Sequence, residues 1–290
     1  MFLETTLLFK TMLILCSQLS IILAVCFYCI REARKAYENN TSFAGIYFRG
    51  SMNMNKQLDL VPYTPSPEYY PSEMFKQVPL ESDPTKSDTI TVMAMNRDQR
   101  IELIKDGYKD KKGGGFIFAW FILWFISLFL CAVFASSGIS TQTGIIFFTL
   151  SSITFGPLLA LIMLEMDEND GFNALKIVFL VTLITGFIGF SDIYSFSENR
   201  FIEEFLFISL IGLIGFEFIR SFLKFSRMAI RLKAMFGAFV FSIFLLFDFN
   251  LLRKKSDFGI NDWDTAFNIA FNIYLDIINL LLEILDAMSN

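Results

Sequence analysis

The chain has 290 residues, of which 54% are hydrophobic and 17% aromatic, with a mean hydropathy of +0.53. A water-exposed surface does not carry so much apolar side chain, so a soluble globular protein is excluded and a membrane protein is predicted. The 24 basic and 29 acidic residues give a net charge of −5, which excludes a broadly basic surface for nucleic acid. Because histidine is absent, the usual zinc ligand and the Ser-His and Cys-His pairs are missing, and any acid-base chemistry falls to carboxylates. We predict no catalytic residue, enzyme activity or cofactor.

Seven hydrophobic stretches are each long enough for a helix that crosses a hydrocarbon core of about 30 Å. The first covers residues 11–30, and residues 113–164 contain no charge and predict two helices joined by a polar turn. The remaining stretches are 175–194, 203–222, 232–252 and 265–287. We therefore predict an all-α, polytopic membrane protein built as a seven-transmembrane-helix bundle.

The composition divides the chain into three parts. Residues 1–35 form the first transmembrane helix and residues 113–290 a six-helix membrane core. The insertion between them, 36–112, holds six of the seven prolines and mixed charges, which predicts an extramembrane loop that is partly disordered. This loop either has no chemistry of its own or binds a protein partner. Within it, residues 89–93 have the composition of a short strand and 97–108 that of a helical turn.

Acidic side chains enter only the later predicted spans. A charge at the centre of a spanning helix costs about 2.5–3.5 kcal/mol, so each such position is a candidate functional site. Glu217 lies in the fifth span, Asp248 in the sixth and Asp276 in the seventh. Glu217 has a simple structural interpretation, because Arg220 follows it by three residues and can pair with it. Asp248 and Asp276 have no such neighbour in sequence.

Polar residues recur along the last helix at steps of three or four and share one face. They are Asp264, Asn268, Asn272, Asp276, Asn279, Glu283 and Asp286. We predict that this stripe faces the bundle interior, with Asn268, Asn272, Asn279 and Glu283 lining a pore. The asparagines are also compatible with hydrogen bonds that merely hold helices together. Asp276 falls near the bilayer centre, where a carboxylate takes up a proton, shares one with a second acid, or is neutralised by a cation.

Asp248 is the natural second acid for Asp276. The sixth and seventh spans are joined by about twelve residues and must be antiparallel neighbours. At a rise of 1.5 Å per residue, Asp248 lies roughly 6 Å from the end of its span and Asp276 roughly 16 Å from the same side, so contact is predicted to need a staggered or broken helix. Two membrane aspartates also suggest an intramembrane hydrolase, but neither lies in a GxGD-like or YD sequence.

Several segments of the chain resemble the Bax inhibitor-1 family, also called the transmembrane Bax-inhibitor-motif family. They are Phe155-Gly-Pro-Leu158, Leu246-Phe-Asp-Phe-Asn250, Tyr274-Leu-Asp-Ile-Ile-Asn-Leu280 and the start of the first helix at Phe9-Lys-Thr-Met12. The resemblance excludes 36–112, a long insertion that is unusual for the family, and the second span lacks an arginine that could pair with an acid.

The resemblance implies a seven-helix bundle in which Asp248 and Asp276 form a pH-sensitive gate for a leak of calcium. Ca²⁺ would be the permeant ion, near these two residues, with no firm resident metal site. The family is also linked to suppression of cell death and, in bacteria, to modulation of a membrane protease. The alternative function is therefore a non-conducting membrane regulator that acts through membrane-protein partners.

The location of basic residues bears on orientation in the membrane. Thirteen basic residues flank the spans on one side and five on the other, which places the 36–112 loop in the cytoplasm. The family is usually drawn with the amino terminus inside, which is the opposite arrangement. The sequence leaves the orientation open, and it also leaves open a bacterial inner membrane or a eukaryotic endomembrane as the lipid bilayer that holds the protein.

Overall fold

The computed structural model describes most of the chain. The described residues are 5–39, 41–52, 58–63, 72–80, 83–110, 115–137, 140–165, 168–220, 222–223 and 225–288. They form two compact units, which we call the helical unit (1–26 and 124–290) and the strand unit (27–123). The boundary falls within two long helices, each of which contributes residues to both units.

Eight helices account for most of the described chain. They are α1 Leu7–Glu38, α2 Arg97–Lys105, α3 Gly115–Ser137, α4 Thr141–Glu165, α5 Glu168–Phe190, α6 Arg200–Arg220, α7 Arg227–Asp257 and α8 Trp263–Met288. A short 3₁₀ turn at Phe196–Glu198 lies between α5 and α6. The long apolar runs form helices because a bilayer offers no partner for backbone N–H and C=O groups, which a helix satisfies internally.

Six of these helices are long and apolar enough to cross a membrane, by length and composition. They are α1, α3, α4, α5, α7 and α8, and they identify a multi-pass membrane protein with helical spans. The helix at the fifth predicted span, α6, is different because every stretch of eighteen residues within it contains Glu203, Glu204 and Glu217. The count of seven membrane spans therefore stays a prediction.

Helix α8 forms the centre of the helical unit. Of its 26 residues, 15 are buried, and they lie on most sides of the helix rather than on one face. The Tyr274 ring packs edge-on against Phe148 of α4, with ring centroids 4.6 Å apart. Helices α4, α5 and α7 all contact α8. Its apolar positions are thus buried against neighbouring helices.

Helices α5 and α7 approach each other closely at Gly189. A Cβ atom at position 189 would lie 2.6 Å from the backbone oxygen of Leu246, so only glycine permits this contact.

Polar side chains hold α1 to α4 in the same unit: Gln18 donates to Thr149 at 3.1 Å and accepts from Ser152 at 2.9 Å. Interhelical bonds of this kind stabilise helix pairs in a membrane.

The described part of the strand unit contains two small antiparallel sheets. Strands β1 Tyr47–Met52 and β2 Leu58–Tyr63 pair with each other, and β3 Ser72–Leu80 pairs with both β4 Asp83–Ala94 and β5 Lys109–Asp110. Helix α2 begins after Asn96, whose side chain accepts from the Gln99 N–H at 2.9 Å. The predicted strand at 89–93 lies within β4, and the predicted turn at 97–108 contains α2. Other parts of 36–112 lie outside the described residues, and the prediction of a partly disordered extramembrane loop stays a prediction.

Candidate functional site

The α7–α8 hairpin brings the predicted acids together. Helix α7 runs on to Asp257 rather than ending near 252, and only residues 258–262 connect it to α8. Asp248 is therefore nine residues, about 13.5 Å, from the connection, and Asp276 thirteen residues, about 19.5 Å. The remaining offset of about 6 Å is one helical turn, which two side chains span. Of the two arrangements that the sequence predicted, a staggered or a broken helix, a stagger of one turn is enough, and both helices are continuous.

Helix α7 continues past 252 because its last turn has partners outside the membrane core. Lys254 donates to the Ser195 hydroxyl at 2.9 Å and pairs with Glu198 at 2.6 Å, and Arg253 pairs with Asp257 at 3.0 Å. Basic residues in the last turn also interact favourably with the negative end of the helix dipole. The charges at 253–255 therefore extend α7 instead of ending it.

The carboxyl groups of Asp248 and Asp276 lie within hydrogen-bonding reach of each other. Both residues are buried, each with 8% of its surface exposed. The Oδ2 atom of Asp276 is also buried, and no N–H or hydroxyl group in the described part of the chain donates to it. The two predicted gate residues thus face each other in an environment that offers Asp276 Oδ2 no other hydrogen-bond donor.

A pocket of about 320 Å³ opens beside the two aspartates, between α6, α7 and α8. Its lining is acidic and apolar, with no lysine or arginine among the described residues that form it. The lining residues are Glu203, Leu206, Phe207, Leu210, Phe244, Phe247, Asp248, Asn272, Leu275 and Asp276. We call it the aspartate pocket.

The polar stripe of α8 has several environments rather than one. Asn268 donates to the backbone oxygen of Ala135 at the end of α3, at 2.8 Å, and Asn272 donates weakly to Asn268 at 3.4 Å. Asn272 also lines the aspartate pocket, whereas Asn279 and Glu283 line a second cavity. Asn268 therefore holds two helices together, and the pore-lining role of Asn268, Asn272, Asn279 and Glu283 stays a prediction.

A cluster of charged side chains surrounds that second cavity, whose volume is about 360 Å³. Lys233 of α7 pairs with Glu283 of α8 at 2.8 Å and with Glu217 of α6. Arg220 pairs with Asp286 at 2.7 Å and with Glu217 at 3.5 Å. We call these five residues the charge cluster. Glu217 thus has the local arginine partner that the sequence predicts and also a second partner on another helix.

Asn250 is a buried polar residue within one of the segments that resemble the family, and its sequence position alone did not predict a role for it. It is 0% exposed, and its side-chain amide donates to the Gly189 backbone oxygen at 3.2 Å and to Asp192 at 3.0 Å. Its oxygen accepts from both the backbone N–H and the hydroxyl of Ser197. Asn250 therefore fixes the 191–199 connection against α7. The sequence signal that could have indicated Asn250 is its position two residues after Asp248, in the same predicted span.

The connection between α7 and α8 is also held by polar contacts. Lys10 of α1 donates to the backbone oxygen of Asn261 at 2.6 Å, and its ammonium lies 5.3 Å from the centre of the Trp263 ring. Asp262 accepts from the Thr265 N–H at 2.6 Å and from its hydroxyl at 3.0 Å. The bond from the backbone N–H and that from the hydroxyl hold the pKa of the Asp262 carboxyl below its ordinary value.

The long apolar helices, together with buried acids on α7 and α8, define a multi-pass α-helical membrane protein. The family model described as "Inhibitor of apoptosis-promoting Bax1" matches residues 89–290, more than two thirds of the chain. The chain therefore belongs to the Bax inhibitor-1 family, a family of membrane regulators of cell death, as its motifs predict. None of the curated proteins compared with the chain matches it.

The family match has different boundaries from the predicted resemblance. It begins at Thr89, within β4, so it takes in α2 and the end of the strand unit. The first helix, which the resemblance included, lies outside it. All the acids of the aspartate pocket and of the charge cluster lie inside the match.

Proposed function

We propose that the protein is a pH-regulated cation leak in which Asp248 and Asp276 form the gate and Ca²⁺ is the permeant ion. The observation that supports this proposal is the contact between two buried carboxyl groups in a pocket without a basic residue among its described lining. Two carboxylates in contact are not both charged unless a cation joins them, so the pair holds one proton between them in the closed state.

Loss of the shared proton changes the site in two ways. It leaves like charges in contact, which repel and separate the two side chains. It also creates a pair of oxygen ligands, the type that a hard cation such as Ca²⁺ prefers. Flux is therefore expected to rise with pH. Glu203 and Asn272, which line the same pocket, supply further oxygen atoms along the path.

Calcium flux into proteoliposomes, measured over a range of pH, tests the proposal. Asp276→Asn is expected to abolish the pH response and to keep flux low, because the amide donates permanently to Asp248 as the protonated acid does. Asp248→Asn is expected to have the same effect. Asp264→Asn is the matched control, because it makes the same chemical change on an exposed residue of α8 and should leave flux unchanged. No flux at any pH, or an unaltered pH response in Asp276→Asn, contradicts the gate.

A second candidate function is a non-conducting regulator that acts through a membrane-protein partner. The strand unit favours it, because two sheets and α2 form a compact structure and most of that unit lies outside the family match. Edge strands of small sheets have unpaired backbone groups that bind extended segments of other proteins.

Replacement of residues 41–110 by a flexible linker separates the two candidates. A regulator of this kind is expected to lose binding of its protein partner in membrane extracts, while a leak keeps its calcium flux. If a variant that still elutes as a single species loses both partner binding and calcium flux, the strand unit is needed for conduction, and the two candidate functions are not independent.

A further inference from the structure

The aspartate pocket and the second cavity share three lining helices, α6, α7 and α8, and we call the side of the bundle that holds both of them the groove. Helix α6 forms one wall of both, through Glu203 to Leu210 at the aspartate pocket and Glu217 to Arg220 at the charge cluster. On α8, Glu283 follows Asp276 by seven residues, about 10.5 Å along the axis. A cation that passes the aspartates along this groove would next meet the carboxylates of the charge cluster.

Those carboxylates already hold a cation, the ammonium group of Lys233. It contacts both oxygens of Glu283, at 2.8 and 3.0 Å, and one oxygen of Glu217. The side chains of Lys233 and Glu283 are 9% and 10% exposed, so the pair lies inside the protein. Arg220 and Asp286 form a second ion pair on the same cavity, beside the first.

The position of Glu283 depends on a glycine of α7. A Cβ atom at position 237 would lie 2.5 Å from Glu283 Cδ and 2.7 Å from its Oε1 atom, so the carboxylate rests directly on the α7 backbone. Gly237 lies one turn after Lys233, on the same face of α7. The glycine thus makes room for the carboxylate at the place where the lysine can reach it.

We propose that Lys233 is a tethered cation that closes the groove at the charge cluster, the end away from the α7–α8 connection. Its ammonium occupies the carboxylates of Glu217 and Glu283, which a permeant cation must otherwise use, and it repels that cation by its own charge. This inference rests on the proposed leak and adds a second barrier to it. This barrier differs from the aspartate gate, because it is formed by the ion pair of Lys233 and Glu283, whereas the aspartate gate is held by a proton that two carboxyl groups share.

The test is calcium flux in proteoliposomes that contain Lys233→Met. We expect flux to rise severalfold over the wild type at a pH where the aspartate gate is open, and to stay low where that gate is closed. Lys233→Arg, which keeps the tethered charge, should conduct like the wild type. Lys254→Met is the matched control, because Lys254 is also an ion-paired lysine of α7 but pairs with Glu198 at the other end of the helix.

Two further variants guard against a change in folding. Gly237→Ala keeps Lys233 but displaces Glu283, so it should raise flux in the same direction as Lys233→Met. Lys233→Met combined with Glu283→Gln removes both charges and should bring flux back towards that of the wild type. Thermal unfolding and gel filtration of each variant show whether it remains folded.

The outcomes separate the two proposals. If the wild type conducts and responds to Asp276→Asn, but Lys233→Met and Gly237→Ala leave flux unchanged or lower it, the tethered cation is wrong and the leak stands. If neither the wild type nor Lys233→Met conducts at any pH, the leak itself fails and the tethered cation fails with it.

Discussion

The aspartate pocket and the charge cluster place acidic side chains of α8 in two different electrostatic environments. Asp276 faces another acid, and the described lining of its pocket offers no basic side chain. Glu283, two turns further along the same helix, holds a lysine ammonium between itself and Glu217. A carboxyl in the first environment is stable when it is neutral, and one in the second when it is charged. The difference predicts that replacing the carboxyl group by an amide costs much stability at Glu283 and little at Asp276.

The largest loss of stability is expected from Glu283→Gln. This change leaves the buried Lys233 ammonium with a single carboxylate, and breaking a buried ion pair costs about 3–5 kcal/mol. We expect a loss near the lower value, because Glu217 remains as a partner. The free energy of unfolding in mixed micelles measures it. Replacing both residues, as Lys233→Met with Glu283→Leu, should recover most of the loss, and a double variant no more stable than Glu283→Gln would contradict the pairing.

A smaller loss is expected from Asn250→Leu, at the end of α7 that lies near the aspartates. The change leaves Gly189, Asp192 and Ser197 without the hydrogen bonds that they form with the Asn250 side chain. We expect the free energy of unfolding to fall by about 2 kcal/mol in total. Asn268→Leu is the comparison, because it removes one bond to an α3 carbonyl and should cost about 1 kcal/mol. Equal losses for the two variants, measured by unfolding, would mean that Asn250 does not fix that connection.

A third environment is that of Asp262, whose carboxylate accepts hydrogen bonds from the N–H and hydroxyl groups of Thr265 at the start of α8. Asp262→Ala should cost about 1 kcal/mol at neutral pH, as loss of a helix cap does.

The pH dependence of this loss follows from the lowered pKa of Asp262. Its stabilisation is complete above the pKa of aspartate in an unfolded chain, about 3.9, and disappears as the pH falls through the lower value in the folded protein. The unfolding midpoints of wild type and variant should therefore converge in acid. Asp264→Ala is the control, and a difference that persists at low pH would exclude a charged cap.

The smallest change in stability is expected from Asp276→Asn, despite its large expected effect on flux. An amide replaces a protonated acid of the same shape and still donates to Asp248, so the free energy of unfolding should change by less than about 1 kcal/mol. A loss as large as that of Glu283→Gln would show that Asp276 is held in its charged form, and the contrast between the two environments would disappear.

Much of the fold could be predicted from the chain, because long apolar runs specify helices in a membrane. The pairing of the last two spans followed from their short connection. The end of α7 was predicted wrongly because Arg253 and Lys254 were treated as the limit of an apolar stretch, whereas their partners are on the 191–199 connection and within α7 itself. Contacts of this kind depend on which loop lies beside a helix, and hydropathy does not encode that.

The candidate site could be predicted only in part. Periodicity indicated the stripe on α8, but it could not separate Asn268, which bonds to α3, from Asn279, which lines a cavity. Lys233 was counted only among the basic residues that flank the spans. Its partners come from α6 and α8, and no spacing within one helix reveals a contact among three helices. The roles of Asp248 and Asp276 as a gate stay predictions.

The acids of α6 explain why hydropathy alone treats that helix as a poor membrane span. Glu203 lines the aspartate pocket and Glu217 the charge cluster, and their separation of fourteen residues is close to four full turns. They therefore project from the same side, while α6 buries only Leu206, Ser209 and Leu213 against its neighbours. A hydropathy scale treats each acid as if it faced lipid, so it penalises Glu203 and Glu217 although both line cavities. Under the proposed leak, α6 would cross the bilayer with Glu203 and Glu217 on the wall of the conducting path.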